Sequence, residues 1–249
     1  MVKVLVGQAS FIAALMFYLG AVYTSTYYGY FHLSPFTLGF GFSQFVVQSL
    51  NLLTLPVLLA GGIVLLLAGL RIPPGPVTQF LSAVLSTAAR FHLLVLAAGL
   101  TLLLMWPQIA PYGWVAPLTL AAGLLLGQRT AADNRPRHRA VPLAAAGLLL
   151  LWAATLGASY LGRHDARVHA HHVGEWTGVL VLSNKRLSLH GVHEEDLGSK
   201  LRHRYRYTGL RRLVEGPDSY YVVPQGWKAT TDPLYVIPKS EETWVGFMP

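Results

Sequence analysis

A cluster of histidines offers the clearest metal-binding chemistry in this sequence. It contains His164, His169, His171 and His172. Asp165 and Glu175 stand close by, and imidazole with carboxylate suits Zn, Cu or Ni. On a strand His169 and His171 would share a face, whereas on a helix His169 and His172 would be neighbours. No spacing among these histidines matches a known zinc signature. We therefore expect a solvated linker that binds no cofactor. A Zn or Cu site and a pH-responsive surface are the two alternatives.

A second set of polar side chains stands in an apolar stretch. Gln44, Gln48 and Asn51 recur at i, i+4 and i+7, which places them on one helix face. Such a seam either joins helices by hydrogen bonds, at about 1 kcal/mol per contact, or lines a ligand or transport cavity. Gly123 and Gly127 form a G-x-x-x-G pattern, which permits close packing within the chain or between two copies.

Long apolar runs must position these groups. A helix needs roughly 20 apolar residues to cross a hydrocarbon core about 30 Å thick, and its backbone must bond internally. The candidate spans are 5–23, 45–70, 88–106, 112–127 and 140–161. No Asp, Glu, Lys or Arg falls well inside a span, which argues against an ion relay of the acidic type. The sequence therefore predicts an α-helical membrane bundle of about five transmembrane helices over 1–161, followed by a small β-rich extramembrane domain.

The basic residues between the runs indicate an orientation. Arg71, Arg129 and Arg135 lie in loops after the second and fourth spans, whereas 24–44 and 107–111 contain no Lys or Arg. Basic loops favour the cytoplasmic side. We expect a multi-pass protein of a bacterial plasma membrane, with the N-terminus inside and the C-terminal domain outside. Cleavage of the first span as a signal peptide is an alternative that leaves the C-terminal domain outside.

The segment 24–44 is uncharged and aromatic. Its main aromatic residues are Tyr27, Tyr28, Tyr30, Phe31 and Phe36. Aromatic rings of this kind sit at headgroup level. We predict an interfacial loop on the outer leaflet, with a lid over a cavity or a lipid-contact site as sharper alternatives.

The C-terminal part has a different composition. Residues 162–249 hold ten of the 11 acidic residues and twelve of the 19 basic ones. We interpret 162–172 as a His-rich juxtamembrane linker and 173–249 as a β-rich extracytoplasmic domain. The sequence predicts two short strands within 177–191, a strand within 215–224, and a pair at 233–238 and 242–247. The stretch 194–206 is polar and suits a loop or short helix.

One stretch resembles a known group of sequences. "YYGYFHLSPFTLGFGFSQFVVQSL" (27–50) is similar to a pattern in uncharacterised multipass membrane proteins of actinobacteria. In that pattern an aromatic pair after the first helix leads into an F-x-L-x-P segment. The resemblance implies a bacterial plasma-membrane protein and carries no activity with it.

Several function classes lack their usual signals. The sequence contains no P-loop, dinucleotide fingerprint, H-E-x-x-H helix or G-x-S-x-G elbow. The net charge of +8 is concentrated in short loops, so we expect no nucleic-acid partner. We expect a non-enzymatic accessory or interaction subunit, with the lipid bilayer and a protein partner or a homo-oligomer around it. A small channel or transporter using the polar seam, and a metal-binding external sensor or enzyme at the histidines, are the alternatives.

Overall fold

Two compact units make up the structure. The computed structural model describes residues 2–52, 90–110, 112–130, 140–198 and 201–248. The helical unit consists of Met1–Val22 and Val46–Leu161, and the sheet unit consists of Tyr23–Phe45 and Gly162–Pro249. The first and last long helices each contribute residues to both units.

Six α-helices lie in the described part of the chain. They are α1 (Val2–Gly29), α2 (Phe42–Ser49), α3 (His92–Leu104), α4 (Trp106–Ile109), α5 (Val115–Thr130) and α6 (Ala140–His171). Short 3-10 turns follow α2 at Leu50–Leu52 and α6 at Val173–Glu175.

The prediction of a membrane bundle of about five helices is wrong. Within the described ranges, two helical stretches are long and apolar enough to cross a bilayer, Ala9–Gly29 in α1 and Val141–His171 in α6. Helices α3 and α5 have 13 and 16 residues. At about 1.5 Å per residue they reach roughly 20 and 24 Å, less than a hydrocarbon core of about 30 Å.

The error has a local cause, because an apolar run does not show where a helix stops. The predicted third span runs on to residue 106, but α3 ends at Leu104 and a new helical turn starts at Trp106 with Pro107 in its first positions. Proline lacks an N–H and disfavours helix in the residue before it, so it starts a helix and does not continue one. Of the predicted second span, only 45–52 lies inside the described residues.

Glycines let α3 and α5 pack closely as an antiparallel pair. A Cβ on Gly123 would lie 2.8 Å from Leu96 Cγ, and one on Gly99 would lie 2.8 Å from Leu120 Cγ. One turn further along, a Cβ on Gly127 would lie 3.0 Å from the ring of His92. The G-x-x-x-G pattern therefore faces a helix of the same chain.

Replacing Gly123 by alanine is expected to lower the free energy of unfolding by about 1–2 kcal/mol, because the added methyl over-packs the contact with Leu96. Gly147→Ala is the matched control, since a Cβ there meets nothing within 4 Å. The control should cause no loss. Denaturant unfolding in detergent measures both variants, and equal losses would contradict the packing role of Gly123.

The sheet unit contains a six-stranded antiparallel sheet. The strands are β1 (Gly178–Ser183), β2 (His193–Asp196), β3 (Tyr205–Glu215), β4 (Ser219–Pro224), β5 (Tyr235–Pro238) and β6 (Thr243–Met248). Their order is β5-β4-β3-β1-β6, and β2 pairs with β3 outside this path. The ring of Phe247 in β6 lies 5.7 Å from that of Tyr220 in β4 although β3 and β1 separate these strands, so the sheet is strongly curved.

Several strand predictions need correction. The strand within 215–224 is confirmed as β4, 233–238 contains β5, and 242–247 covers all of β6 except its last residue, Met248. The last two do not pair with each other, because β5 pairs with β4 and β6 pairs with β1. The polar stretch 194–206 contains most of β2 and the start of β3. The segment after Asn184 forms no second strand before β2.

Apolar residues cover the sheet on both faces. One buried cluster contains Val179, Val181, Tyr207, Leu210, Val222 and Ile237. The other contains Phe31, Ala166, Val173, Trp176, Val223 and Trp227. Adjacent residues of a strand point to opposite faces, so Val222 and Val223 enter different clusters. Hydroxyl burial raises the pKa of Tyr207, whose oxygen accepts the Leu187 N–H at 2.7 Å. The neutral hydroxyl therefore contributes stability that is lost only as the pH rises through that raised pKa.

Candidate functional site

The C-terminal turns of α1 and α6 are joined by two polar pairs. Tyr23 donates its hydroxyl proton to Asp165 Oδ2 at 2.8 Å, and the Tyr27 hydroxyl is hydrogen-bonded to His169 Nδ1. Each pair joins residues 142 positions apart, so both helices run in the same direction. Spacing of four residues along each helix stacks the two pairs on one face. We call these four residues the polar ladder.

A glycine lets the two helices approach at the ladder. A Cβ on Gly162 would lie 2.6 Å from the backbone oxygen of Tyr23, closer than real Cβ contacts allow. Gly162 lies three residues before Asp165, so the close approach brings the Tyr23 hydroxyl within reach of the carboxylate. In the helical unit, Tyr18 and Thr155 continue the same parallel pairing through a hydroxyl contact of 3.1 Å.

Beside the ladder, an aromatic residue of the α1–α2 connection enters the core of the sheet unit. Phe31 has none of its surface exposed. Its ring centroid lies 5.4 Å from that of Trp227 and 6.0 Å from that of Trp176. His169 in turn contacts Trp176 edge to face, with ring centroids 4.7 Å apart. The connection, the end of α6 and the sheet therefore share one core.

The predicted interfacial aromatic residues occupy different environments. Tyr27, Tyr28 and Tyr30 are half-buried and Phe31 is buried, whereas Phe36 is 66% exposed. Further contacts tie the connection to the sheet: Gly39, at φ +72°, lies against Pro217, and His32 Nε2 donates to Ala229 O at 3.3 Å. Protein contacts thus hold most of the rings that the sequence assigned to a membrane surface.

The structure does not gather the predicted histidine ligands. His164, His169 and His171 lie on α6 and His172 follows it. His169 bonds to Tyr27, and His172 Nδ1 donates to Val168 O at 2.8 Å. Across the described ranges, no three His, Asp or Glu residues form a group that could hold a metal ion. Because the segment is helical, His169 points to a different side of the axis from His164 and His171, which are themselves two turns apart along it.

The predicted polar seam is also divided. Gln44 Oε1 accepts the Gly41 N–H at 2.8 Å, just before α2 begins at Phe42. This is the return contact of a capping box, in which the third helical residue bonds the residue before the helix. Gln48 is half-buried on α2, and Asn51 lies in the following 3-10 turn, where its side chain is outside the described part.

Replacing Gln44 by leucine is expected to lower stability by about 0.5–1 kcal/mol, because the Gly41 N–H loses its acceptor. Gln44→Glu keeps an oxygen in place and serves as the matched control. Unfolding in detergent measures both. A cavity-lining role without capping would instead leave the stability of Gln44→Leu unchanged.

Charged groups of the sheet neutralise one another. The acidic residues of β2 pair with arginines: Arg186 with Glu194 at 2.8 Å, Arg206 with Glu195 at 3.5 Å and Arg204 with Asp196 at 2.8 Å. The hydrogen bond from Arg204 lowers the pKa of Asp196, and the one from Lys239 lowers the pKa of Glu215. A carboxyl group that acts as a general acid needs a raised pKa. The pKa values of Asp196 and Glu215 are lowered instead, so these two groups do not suit that role.

The described residues therefore define a chain with two helices long and apolar enough to cross a membrane and a six-stranded antiparallel sheet. Comparison with family models, curated proteins and solved structures found no significant match.

Proposed function

We propose that this is an integral protein of a bacterial plasma membrane and a non-enzymatic accessory or interaction subunit, whose sheet unit meets a partner outside the cytoplasm. The observation that carries this proposal is the polar ladder. It joins the C-terminal turns of α1 and α6 in parallel, so that both turns lie within the sheet unit.

The helix surfaces support membrane insertion. In the most apolar windows of α1 and α6, 17% of the residues are buried inside the protein. Large apolar side chains point outward instead, such as Phe11 at 70%, Val141 at 75% and Leu148 at 69% exposure. A core helix of a soluble protein buries such residues, so this surface fits a lipid environment.

The direction of the helices supports one orientation. Because α1 and α6 are parallel, both C-terminal ends emerge on the same side of any membrane that they cross. The Arg-rich segment 129–139 precedes α6, and Lys3 precedes the apolar part of α1. Basic residues favour the cytoplasmic side, so the N-terminus is proposed to lie inside and the sheet unit outside.

The length of α6 exceeds what one membrane crossing needs. Its 32 residues extend roughly 48 Å, well beyond a hydrocarbon core of about 30 Å. Tyr160, about 30 Å from the start of α6, contacts Tyr112 with ring centroids 5.7 Å apart, a position and ring type suited to headgroup level. The residues after Leu161, which include the exposed Arg163, would then lie beyond the hydrocarbon core.

The two alternative functions have less support. A channel or transporter would use Gln44, which instead caps α2. A metal-dependent sensor or enzyme would use His169, which instead bonds to Tyr27. Both polar groups therefore have structural partners elsewhere in the protein.

Single-cysteine labelling tests the proposal, because the chain has no native cysteine. Thr230→Cys on the exposed surface of the sheet unit should react in intact cells with a membrane-impermeant maleimide. Thr130→Cys at the end of α5 should react only after permeabilisation. The reverse pattern would contradict the orientation, and solute flux through the purified, reconstituted protein would contradict the accessory role.

A further inference from the structure

Exposed apolar side chains of the sheet are confined to two edge strands. Among the strands, the large apolar residues that are exposed are Val236 on β5 and Trp244, Phe247 and Met248 on β6. Strands β1, β3 and β4, which have neighbours on both sides, have none. The exposed apolar surface therefore coincides with the strand edges that have no ladder partner among the described strands.

The three edge strands differ in their protection against pairing. Strand β2 (His193–Asp196) is charged, and its acidic residues are paired with arginines. Strand β5 ends at Pro238, which has no N–H, and Lys239 follows. Strand β6 has neither a charge nor a proline, and within the described chain it pairs with β1 alone. Natural edges are usually blocked by charge, Lys or Pro, so β6 is the one built to accept a strand.

The register of β6 fixes which side chains a paired strand would meet. Val245 and Phe247 lie opposite the buried Val181 and Val179, whereas Trp244 and Gly246 lie opposite Leu182 and Leu180 on the other face. In an antiparallel β6–β6 pair related by a two-fold axis, directly opposite residues point to the same face of the joined sheet. Only registers that pair core-facing residues with core-facing residues are therefore allowed. With the axis at Val245 or at Gly246, Trp244 meets Gly246 or Met248 of the partner copy. Neither register places two charges opposite each other.

We propose that a second copy of this chain occupies the β6 edge, so that two sheets join through an antiparallel β6–β6 pair. The occupant is argued from chemistry. An open backbone edge requires an extended strand, and an uncharged, apolar edge is complementary to itself without like-charge repulsion. Confinement of both copies to one membrane raises their effective concentration. This inference rests on the proposed interaction role and names the partner.

Cross-linking in native membranes tests the inference. With Val245→Cys, a short bis-maleimide should give covalent dimers, because both registers bring the two thiols within about 8 Å. Val236→Cys on β5 should give monomer. Adding Trp244→Lys should reduce the Val245→Cys dimer at least tenfold through like charges on adjoining strands, whereas adding Val236→Lys should not. Positions 244 and 236 are equally suitable for this comparison, at 54% and 53% exposure.

The folding of each variant and the membrane orientation of the protein are measured in separate experiments. Each variant is accepted only if a monofunctional maleimide labels it and its far-UV circular dichroism and thermal unfolding midpoint match those of the parent. Absence of dimer from folded Val245→Cys, or equal dimer in Trp244→Lys, would overturn the β6 pairing. The proposed function would fail on different evidence, namely labelling of Thr230→Cys from the wrong side of the membrane.

Discussion

Phe31→Ala should cost about 3–5 kcal/mol of unfolding free energy, the range for removing a fully buried aromatic ring. Phe31 has no exposed surface and lies between Trp176 and Trp227. Its removal leaves a cavity in the core that joins the α1–α2 connection to the sheet. Tryptophan fluorescence during denaturant unfolding in detergent reports the change directly, because the two indoles line that cavity.

Phe36→Ala is the matched control for this experiment. Phe36 lies on the same connection, but 66% of it is exposed. We expect a change within about 0.5 kcal/mol, as for most surface positions. A similar, small effect at both positions would mean that the connection does not belong to the core of the sheet unit.

The second large loss of stability is expected for Gly162→Ala. The added Cβ would lie 2.6 Å from the Tyr23 backbone oxygen, and backbone cannot move aside as a side chain can. We expect a loss of about 2–3 kcal/mol from over-packing, as α1 and α6 are forced apart at the polar ladder. Unfolding of the detergent-solubilised protein measures the loss.

Gly157→Ala controls for the general effect of alanine in a helix. Gly157 lies five residues earlier on α6, and a Cβ there meets nothing within 4 Å. The control should therefore be as stable as the parent or slightly more so, because alanine favours helix. If Gly157→Ala were as destabilising as Gly162→Ala, the loss could not come from the contact with Tyr23.

Sequence reasoning singled out two of the four ladder residues, for other roles, and did not predict their partners. Tyr27 and His169 were both singled out, one for a membrane surface and one for a metal. Their contact joins residues 142 positions apart, and a single sequence contains no signal for such a pair. Helical spacing could have suggested that Tyr23 and Tyr27 share a face, as Asp165 and His169 do, but not that these two faces meet.

Strand prediction succeeded where residues were aromatic and β-branched and failed where charged residues dominated. "SYYVVP" is aromatic and β-branched, and it forms β4. Strand β3 contains Gly209, at φ +86°, and the consecutive Arg211 and Arg212. Such a stretch suits a bulged strand whose polar side chains reach the sheet surface, which composition alone does not distinguish from a loop. The pairing of β6 with β1 is non-local and left no mark on the sequence around β6.

The route by which the chain reaches its folded state is constrained by the contacts of the α1–α2 connection. His32 bonds to Ala229, 197 residues further along the chain, and Phe31 packs on Trp227 beside it. During synthesis the connection is made early, and its counterpart in the sheet emerges only after the rest of the described elements except β5 and β6. Contacts between residues so far apart in sequence form slowly, and until they form, the exposed aromatic side chains of the connection are prone to aggregate. The assembly step most sensitive to a chaperone or to crowding should therefore be the late capture of Phe31, after the helices have been made.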